Sequence, residues 1–485
     1  MKNKSIVIWF ACICLFDTLC TTEIYGQTPQ ESLLTQAEIR LRGIYEEGEF
    51  RANAFQAEWL PDSSGYTVSE SIPGMDERVS VRYSVASGER TVLKESFEED
   101  GLLNSLSPDG TRILESDKGS LQVRTLNSGE IISLIEKTDD GSIRNGRAVW
   151  SPDSNLIAFV QSDFSRVRLR SMLEPSDPSY PEVRETRFAR VGETIASLRV
   201  GVVDAEGSET RWLSIPEPGE GFYLGQVSWA GNSDELLVVK YSRFRDKREF
   251  LMADIRTGEI TSIYSESNPA WVIASIRKNV GLEWIRNGRA FIVISEKDGW
   301  RHAYVYSREG KELALLTPGA SDIIERVKVD ETSGWFYYNA SPHNGTQKYL
   351  YRVGLDGSEE PERVTPMNQP GTHDYDFSPD ARWAFHTYST FDSPPITELV
   401  EFPEYRGVRV LEDNTELHKK MEALVSTPTE FIQLDIGGGV VMDAWMIKPS
   451  DFDSSKQYPV FVYVYGEPHS QTVLDVWGRS HADYH

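Results

Sequence analysis

The stretch "AVWSPDSNLIAFV", residues 148–160, decides the fold because variants of it recur along most of the chain. An apolar or aromatic residue comes first, a Pro-Asp turn follows, and the next residues alternate around β-forming side chains. Pro-Asp pairs favour tight turns, and such alternation is typical of a strand with one buried face. The stretch therefore predicts two strands joined by a short turn.

Six further copies of this pattern can be found, at 57–70, 104–116, 227–239, 282–294, 327–340 and 375–389. The turn prolines Pro61, Pro108 and Pro152 are 47 and 44 residues apart. A β-type repeat with a period in the forties indicates the blades of a propeller. The predicted fold is all-β, a seven- or eight-bladed β-propeller over residues 49–410. An eighth blade would lie in the longer interval between Pro152 and Ala230, or at the seam of the ring.

Four tryptophans occupy the same position before the turn: Trp59, Trp150, Trp229 and Trp284. Large aromatic side chains at a repeated position are expected to pack between neighbouring blades. The interval after Pro152 also contains "SMLEPSDPSYPEVRETRFARVGET", which is rich in charge and proline. We expect this segment to leave its blade as an excursion.

Composition narrows the possible functions. The chain has 485 residues and a formal net charge of -25. This acidity argues against a nucleic-acid partner or an anionic membrane surface, since binding phosphate requires a basic surface. The histidines have no metal-ligand spacing and there is no phosphate-binding glycine loop, so neither a metal nor a cofactor is predicted.

The N-terminus begins "MKNKSIVIWFACICLF", a basic start followed by a short apolar run. This run suits a secretory signal over residues 1–26 and places the protein in the periplasm or outside the cell. An uncleaved anchor, or a lipoprotein at Cys20, is the alternative. All three cysteines precede residue 21, so disulfides are not expected in the mature chain. A helix is predicted over residues 27–48.

The chain changes character after the propeller. A linking helix is predicted over 411–425 with Asn414 as its N-cap, and a second domain begins at 426. Residues 431–449 predict a hairpin whose turn is Gly437-Gly438-Gly439. In the segment "YPVFVYVYGEPHSQTV", residues 458–473, the apolar run 459–465 predicts a buried strand, and Gly-Glu-Pro then predicts a sharp turn.

This order of elements, with "KQYPVFVYVYGEPHSQ" after the hairpin, resembles the dipeptidyl peptidase IV branch of the prolyl oligopeptidase serine peptidases. The resemblance implies that residues 426–485 are the start of an α/β-hydrolase domain. In the family, the tyrosine of the "VY-x-x-P" segment donates its hydroxyl to the oxyanion hole, and the matching residue is Tyr465. A fixed donor at a developing oxyanion is worth roughly 3 kcal/mol in other hydrolases.

The sequence departs from the family in two places. No G-x-S-x-G occurs, so the Ser-Asp-His triad is expected beyond the end of a truncated chain that is inactive alone. The family's paired glutamates, which hold the amine of the substrate, are missing before "WSPD". Asp139 and Asp140 form a nearby acidic pair that could attract an ammonium group, although Asp-Asp-Gly is also an ordinary turn.

The predicted function is therefore that of an exported serine exopeptidase acting on short peptides of the X-Pro or X-Ala type. The resemblance also implies a homodimer. The alternative is a non-catalytic propeller that serves as a binding module, because propellers host many functions. A propeller glycoside hydrolase would require inward-facing carboxylate pairs, and Tyr465 and the hairpin speak against it.

Overall fold

A computed structural model of the chain describes residues 29–71, 78–93, 106–117, 119–138, 140–174, 179–216, 219, 221–273, 281–423, 429–466 and 471–478. The chain divides into two compact units, residues 1–51 and 52–485. The first unit contains helix α1 (Pro29–Tyr45), within the span predicted to be helical. The signal segment predicted for residues 1–26 lies outside the described residues and stays a prediction.

The second unit is built from antiparallel sheets whose strands pair in chain order. Sheet 1 consists of β1 (Glu58–Trp59), β2 (Gly65–Ser71), β3 (Arg78–Ser84) and β4 (Arg90–Val92). Sheet 2 consists of β5 (Arg112–Asp117), β6 (Ser120–Thr125) and β7 (Ile131–Ile135), with an isolated bridge from Leu106 to Ile113 in the place of a first strand. Sheet 3 consists of β8 (Ile143–Trp150), β9 (Leu156–Asp163), β12 (Ser197–Asp204) and β13 (Arg211–Trp212). The separate hairpin β10 (Leu169–Glu174) and β11 (Glu182–Arg187) interrupts sheet 3.

Four more sheets follow. Sheet 4 consists of β14 (Phe222–Trp229), β15 (Glu235–Ser242), β16 (Lys247–Asp254) and β17 (Ile260–Ser267). Sheet 5 consists of β18 (Leu282–Ile285), β19 (Ala290–Ser295), β20 (His302–Ser307) and β21 (Glu312–Leu315). Sheet 6 consists of β22 (Ile323–Asp330), β23 (Trp335–Ala340), β24 (Tyr349–Gly354) and β25 (Glu362–Arg363). Sheet 7 consists of β26 (Thr372–Phe377), β27 (Trp383–Ser389), β28 (Ile396–Glu401) and β29 (Arg406–Glu412).

The Ser-Pro-Asp turn that repeats in the sequence is closed by its own side chains. In sheet 3, the hydroxyl of Ser151 donates to Asp153 Oδ1 over 2.5 Å and accepts from the backbone N–H of Leu156 over 2.8 Å. Ser154 in this turn has a φ of +64°, a left-handed conformation that a tight turn requires. The same hydrogen bonds recur at Ser107 in sheet 2 and at Ser378 in sheet 7.

These turns also join neighbouring sheets through one repeated contact, which we call the turn clasp. The backbone N–H of Asp109 donates to Ser154 Oγ of the next sheet over 3.0 Å. Asp153 makes the equivalent bond to Ser233, over 3.2 Å. The backbone N–H of Asp380 in sheet 7 donates to Ser63 Oγ of sheet 1 over 3.1 Å. The last of these clasps connects the end of the series to its beginning.

Hydrophobic packing follows the same circular order. Buried side chains form clusters between sheets 2 and 3, 3 and 4, 4 and 5, 5 and 6, and 6 and 7. A further cluster joins sheet 7 to sheet 1, where the rings of Trp59 and Phe385 stack with centroids 4.1 Å apart. Burial of apolar surface in these clusters is the main stabilising contribution. This mostly β arrangement is consistent with the predicted propeller.

The predicted role of the four tryptophans is confirmed. Trp59, Trp150, Trp229 and Trp284 each pack in the cluster between two neighbouring sheets. The indole N–H of Trp229 donates to the carbonyl oxygen of Val149 in the preceding sheet over 3.3 Å. The excursion predicted after Pro152 is also present, as the hairpin of β10 and β11, which pairs with no strand of sheet 3.

Helix α2 (Thr415–Glu422) follows sheet 7. Asn414 is confirmed as the N-cap residue, and its carbonyl oxygen accepts from the backbone N–H of His418 over 2.9 Å, but its side chain makes no cap hydrogen bond. Its amide instead donates to the carbonyl oxygens of Asn53 and Pro395 over 3.0 and 2.9 Å. Neither α1 nor α2, the helices within the described ranges, has the length and apolar character that crossing a membrane requires.

The chain after α2 contains one predicted element and lacks another. The hairpin is confirmed as β30 (Glu430–Asp435) and β31 (Val441–Met446), with three glycines of positive φ in its turn. The prediction of a buried strand at 459–465 is wrong. Residues 459–466 belong to no ladder, and Val460 and Phe461 are each 83% exposed. A strand requires a partner for its backbone groups, and no described strand lies beside this segment.

Candidate functional site

The sheet topology defines one end of the ring as the candidate functional face. In each four-stranded meander, the turn between the second and third strands lies at the same end as the connection to the next sheet, because antiparallel strands alternate in direction. This end holds the 341–348 turn of sheet 6, the 389–395 turn of sheet 7 and the connection between β7 and β8. We call it the loop face.

The chain after α2 lies against the loop face at sheets 6 and 7. The ring of Phe391 is 5.4 Å from Trp445 and 6.2 Å from Phe431, measured between centroids. The hydroxyl of Thr429 donates to Asp392 over 3.2 Å. Hairpin β30–β31, which the resemblance assigned to the start of the hydrolase domain, is therefore seated on the propeller through an aromatic contact.

A cleft of about 390 Å³ lies between the 341–348 turn and the hairpin. Its walls come from three segments: His343–Gln347 of the turn, Phe431–Gln433 and Asp443–Ala444 of the hairpin, and Asp475. Asn344 holds the turn rigid, since its side-chain oxygen accepts from both the backbone N–H and the hydroxyl of Thr346. The cleft is thus polar on the propeller side and mixed on the hairpin side.

The predicted site residues lie in different segments of the chain. Tyr465 lies in the extended segment after the hairpin and, at 38%, is the least exposed residue of 460–465. Asp140 lies in the connection between β7 and β8, and Asp139 is outside the described residues. Asp140 contacts Ser142 of its own turn and Arg187.

The carboxylate of Asp140 is used by the turn that contains it. One oxygen accepts from the backbone N–H of Ser142 over 3.0 Å and from its hydroxyl over 2.7 Å. These hydrogen bonds, the backbone bond foremost, hold the pKa of Asp140 below its usual range. The other oxygen is 4.0 Å from Arg187 of the β10–β11 hairpin. This geometry is that of an Asp-Gly turn, with Gly141 at a φ of +61°.

A buried polar chain in sheet 7 was missed by sequence reasoning. His373 Nδ1 is 2.8 Å from His386 Nε2, and His386 Nδ1 is 2.9 Å from Glu398 Oε1. His373 Nε2 is 3.1 Å from the carbonyl oxygen of Gln369 and must donate to it, so its Nδ1 accepts from His386. Burial lowers the pKa of His373 to about 3, and the hydrogen bond from His386 lowers the pKa of Glu398.

A second cavity, of about 460 Å³, lies between sheets 4 and 5. Lys297 at its edge donates to Tyr306 over 2.7 Å and stands 3.9 Å from the centroid of the Tyr304 ring. Beside it, the fully buried Arg248 pairs with Glu266 over 2.6 Å. Within the described ranges, no group of three or more His, Cys, Asp or Glu side chains could hold a metal ion.

Comparison of the chain with known proteins identifies its family. Residues 82–395 match the family described as "Dipeptidyl peptidase IV (DPP IV) N-terminal region". A "Probable dipeptidyl peptidase 4" of Emericella nidulans is 26% identical over 349 residues, covering 68% of this chain and 44% of that protein. A "Probable dipeptidyl-aminopeptidase B" of the same organism is 27% identical over 413 residues, covering 76% of this chain and 44% of that protein.

The fold is similar to that of Porphyromonas gingivalis dipeptidyl peptidase 4. The crystal structure of that enzyme superimposes with a TM-score of 0.75 at 22% identity, covering 89% of this chain and 70% of that chain. The chain spans less than half the length of the two curated relatives. Because the matched region covers more than half of its residues, the chain belongs to the dipeptidyl peptidase IV family of serine peptidases through the N-terminal region of that family.

Proposed function

We propose that the chain is the propeller part of an exported serine exopeptidase that removes dipeptides of the X-Pro or X-Ala type from short peptides. The observation that carries this proposal is the match over 82–395, followed in the same chain by a hairpin docked on the loop face and by the Val464-Tyr465-Gly466 segment. The Ser-Asp-His triad is assigned to no residue of this sequence, so the 485-residue polypeptide alone is expected not to cleave peptides.

The proposed propeller has seven blades, one for each of the seven sheets found in the described ranges. Support comes from the seam, where sheet 7 contacts sheet 1 through both a turn clasp and the stack of Trp59 on Phe385. Residues 426–485 are proposed to begin the hydrolase domain. Tyr465 would donate its hydroxyl to the oxyanion of the acyl-transfer intermediate.

Dipeptide release is the least supported part of this function, because the paired glutamates of the family are missing. Asp139 and Asp140 remain the acidic pair proposed for the substrate amine. The carboxylate of Asp140 would have to share its hydrogen bonds with Ser142 to do so. We therefore expect weaker selection for a free N-terminus than a dedicated pair of carboxylates would provide.

The proposed function can be tested on the protein as the producing cells make it. Antibodies raised against residues 52–423 would capture it from separate extracellular, periplasmic and cytosolic fractions. We expect hydrolysis of an X-Pro chromogenic dipeptide by the exported fractions, and its loss after fluorophosphonate treatment. Captured protein that binds peptides without cleaving them would support the alternative of a binding module, and its recovery from the cytosol would contradict export.

The hairpin β10–β11 is the proposed contact of a homodimer. Leu173 and Val183 face each other across this hairpin and are 67% and 63% exposed. Paired apolar side chains on an exposed face favour association. Leu173→Lys with Val183→Lys should convert a dimer to a monomer in light scattering, whereas Met172→Lys on the opposite face should not. A wild-type monomer at micromolar concentration would contradict the proposal.

A further inference from the structure

The segment 471–478 binds the loop face through one residue that makes an unusually complete set of contacts. Asp475 has four hydrogen bonds, each 2.8 Å long, to three different segments of sheets 6 and 7. Its backbone N–H donates to Thr346 O, and its carbonyl oxygen accepts from Thr372 Oγ1. Its carboxylate accepts from Gln347 Nε2 on one oxygen and from the backbone N–H of Phe391 on the other.

We propose that Asp475 is a positioning residue that latches the segment following Tyr465 onto sheets 6 and 7. The latch anchors residues 471–478 on the loop face, and because this anchor follows Tyr465 in the chain it restricts where the proposed oxyanion donor can lie. This consequence rests on the proposed function, but the latch itself is a property of the chain that can be measured without catalysis.

The receptor for Asp475 is held in place by contacts within sheets 6 and 7. Gln347 is oriented by Tyr349, whose hydroxyl donates to Gln347 Oε1 and leaves Nε2 to face Asp475. The bridge between Lys348 and Thr372 joins sheet 6 to the start of sheet 7. Gly371 makes this approach possible, since a Cβ at its φ of +139° would lie 2.6 Å from the carbonyl oxygen of Ser389. A preorganised receptor reduces the entropy lost on binding.

Two flanking contacts align the segment on either side of the latch. The side chain of Gln471 donates to the carbonyl oxygen of Gly345 over 2.9 Å. The backbone N–H of Trp477 donates to Ser389 Oγ over 3.3 Å. Neither contact involves a charge, whereas hydrogen bonds to a carboxylate are roughly twice as strong as neutral ones. The hydrogen bonds to the carboxylate of Asp475 are therefore stronger than either flanking contact.

The pairing of Gln347 with Asp475 allows a test by exchange of their roles. Gln347→Glu places a second carboxylate against Asp475, and the two charges repel. Adding Asp475→Asn restores complementarity, because the new amide can donate to the carboxylate introduced at position 347. The oxygen of that amide still accepts from the N–H of Phe391, and the hydroxyl of Tyr349 still donates to the introduced carboxylate. A residue that acts only by filling space would show no such rescue.

Hydrogen exchange measured by mass spectrometry on the 485-residue chain gives the readout. We expect Gln347→Glu and Asp475→Ala each to speed exchange in 471–478 about tenfold, since the amide of Asp475 is bonded to Thr346 only while the latch is closed. The double variant Gln347→Glu/Asp475→Asn should return to within about threefold of wild type. Asp451→Asn, an exposed aspartate of the same region, is the matched control and should change nothing.

Peptides from β15 serve as an internal reference for global unfolding. Unchanged exchange in 471–478 after Asp475→Ala, or a double variant that is no slower than Gln347→Glu, would overturn the latch. A double variant that fails to fold would overturn it as well. None of these outcomes depends on peptidase activity, so the latch and the proposed function can fail separately.

Discussion

The ring of sheets and the segment 459–466 use the same kinds of residue but have opposite surroundings. In β15, Leu236, Leu237, Val238 and Val239 are no more than 1% exposed. In the segment, Val460, Phe461 and Val462 are between 72% and 83% exposed. Both stretches favour extended backbone. The difference shows that burial comes from the neighbours that the fold provides on each side, and the ring provides them even at its seam.

The largest loss of stability is expected from removing an aromatic ring at the seam, and the same substitution in the exposed segment is the comparison. Phe385→Ala removes a ring that stacks on Trp59 and contacts Phe55 and Tyr66 edge-on, so the variant should lose about 3–5 kcal/mol of unfolding free energy. Phe461→Ala is the matched control and should change stability by less than about 0.5 kcal/mol. Urea titration measures both. Equal losses would mean that 459–466 is buried in solution.

The comparison also explains which parts of the molecule the sequence can predict. The Ser-Pro-Asp turns and the tryptophan positions are local and repeated, so seven copies reveal both the turn and the packing site. The bond from Trp59 to the carbonyl oxygen of Asp376 spans 317 residues and exists only because the ring closes. The prediction of a strand at 459–465 was wrong for the same reason. β propensity depends on local sequence, whereas a strand also requires a partner that is distant in the chain.

The candidate site was harder to predict because its contacts depend on register and docking. His373 and His386 lie on paired strands, two positions apart across the ladder, where His386 is opposite Tyr375. No spacing along the chain reveals that pairing. Gln347 and Asp475 are 128 residues apart and meet only when the segment docks. Asp140 was the exception, because Asp-Asp-Gly carries a turn signal that the structure bears out.

A second prediction concerns the pH dependence of stability that a buried histidine of the ring should cause. Burial lowers the pKa of His373 to about 3. Between pH 6.5 and pH 3 this imidazole is therefore protonated in the unfolded chain but neutral in the folded chain. The free energy of unfolding is therefore not reduced by this group above pH 6.5. It decreases as the pH falls from 6.5 toward 3, because protons bind preferentially to the unfolded chain. Between pH 7 and pH 5 the loss should be roughly 2 kcal/mol.

Urea unfolding at a series of pH values measures this slope. Glu398 acts in the same direction at lower pH, because its pKa lies below the ordinary 4.5 and its contribution disappears as it becomes protonated. His373→Gln should flatten the change between pH 7 and pH 5 while leaving the steeper decrease below pH 4.5. A variant with the wild-type slope would exclude His373 as the source.

A smaller effect is expected from the turn clasp at the seam. Ser63→Ala leaves the backbone N–H of Asp380 without its acceptor, and the position is buried. The expected loss is about 0.5–1.5 kcal/mol, the net contribution of one typical hydrogen bond, because Asp380 itself is exposed. Ser154→Ala breaks the equivalent clasp between sheets 2 and 3 and should cost a similar amount. The exposed Ser208→Ala is the control. A much larger loss at Ser63 would show that closure depends on this one bond.

The smallest loss of stability is expected from a substitution in the connection between β7 and β8 on the loop face. Asp140→Asn keeps an acceptor for the N–H and hydroxyl of Ser142 but removes the charge, so the melting temperature should stay close to that of the wild type. If Asp140 serves only its turn, the variant should bind an X-Pro peptide at pH 7 as the wild type does. If Asp140 binds the substrate amine, the variant should bind the free-amine peptide more weakly and the N-acetylated peptide equally well. Calorimetry with both peptides separates the two roles. We expect weaker binding of the free-amine peptide only, and unchanged binding of both peptides would restrict Asp140 to its turn.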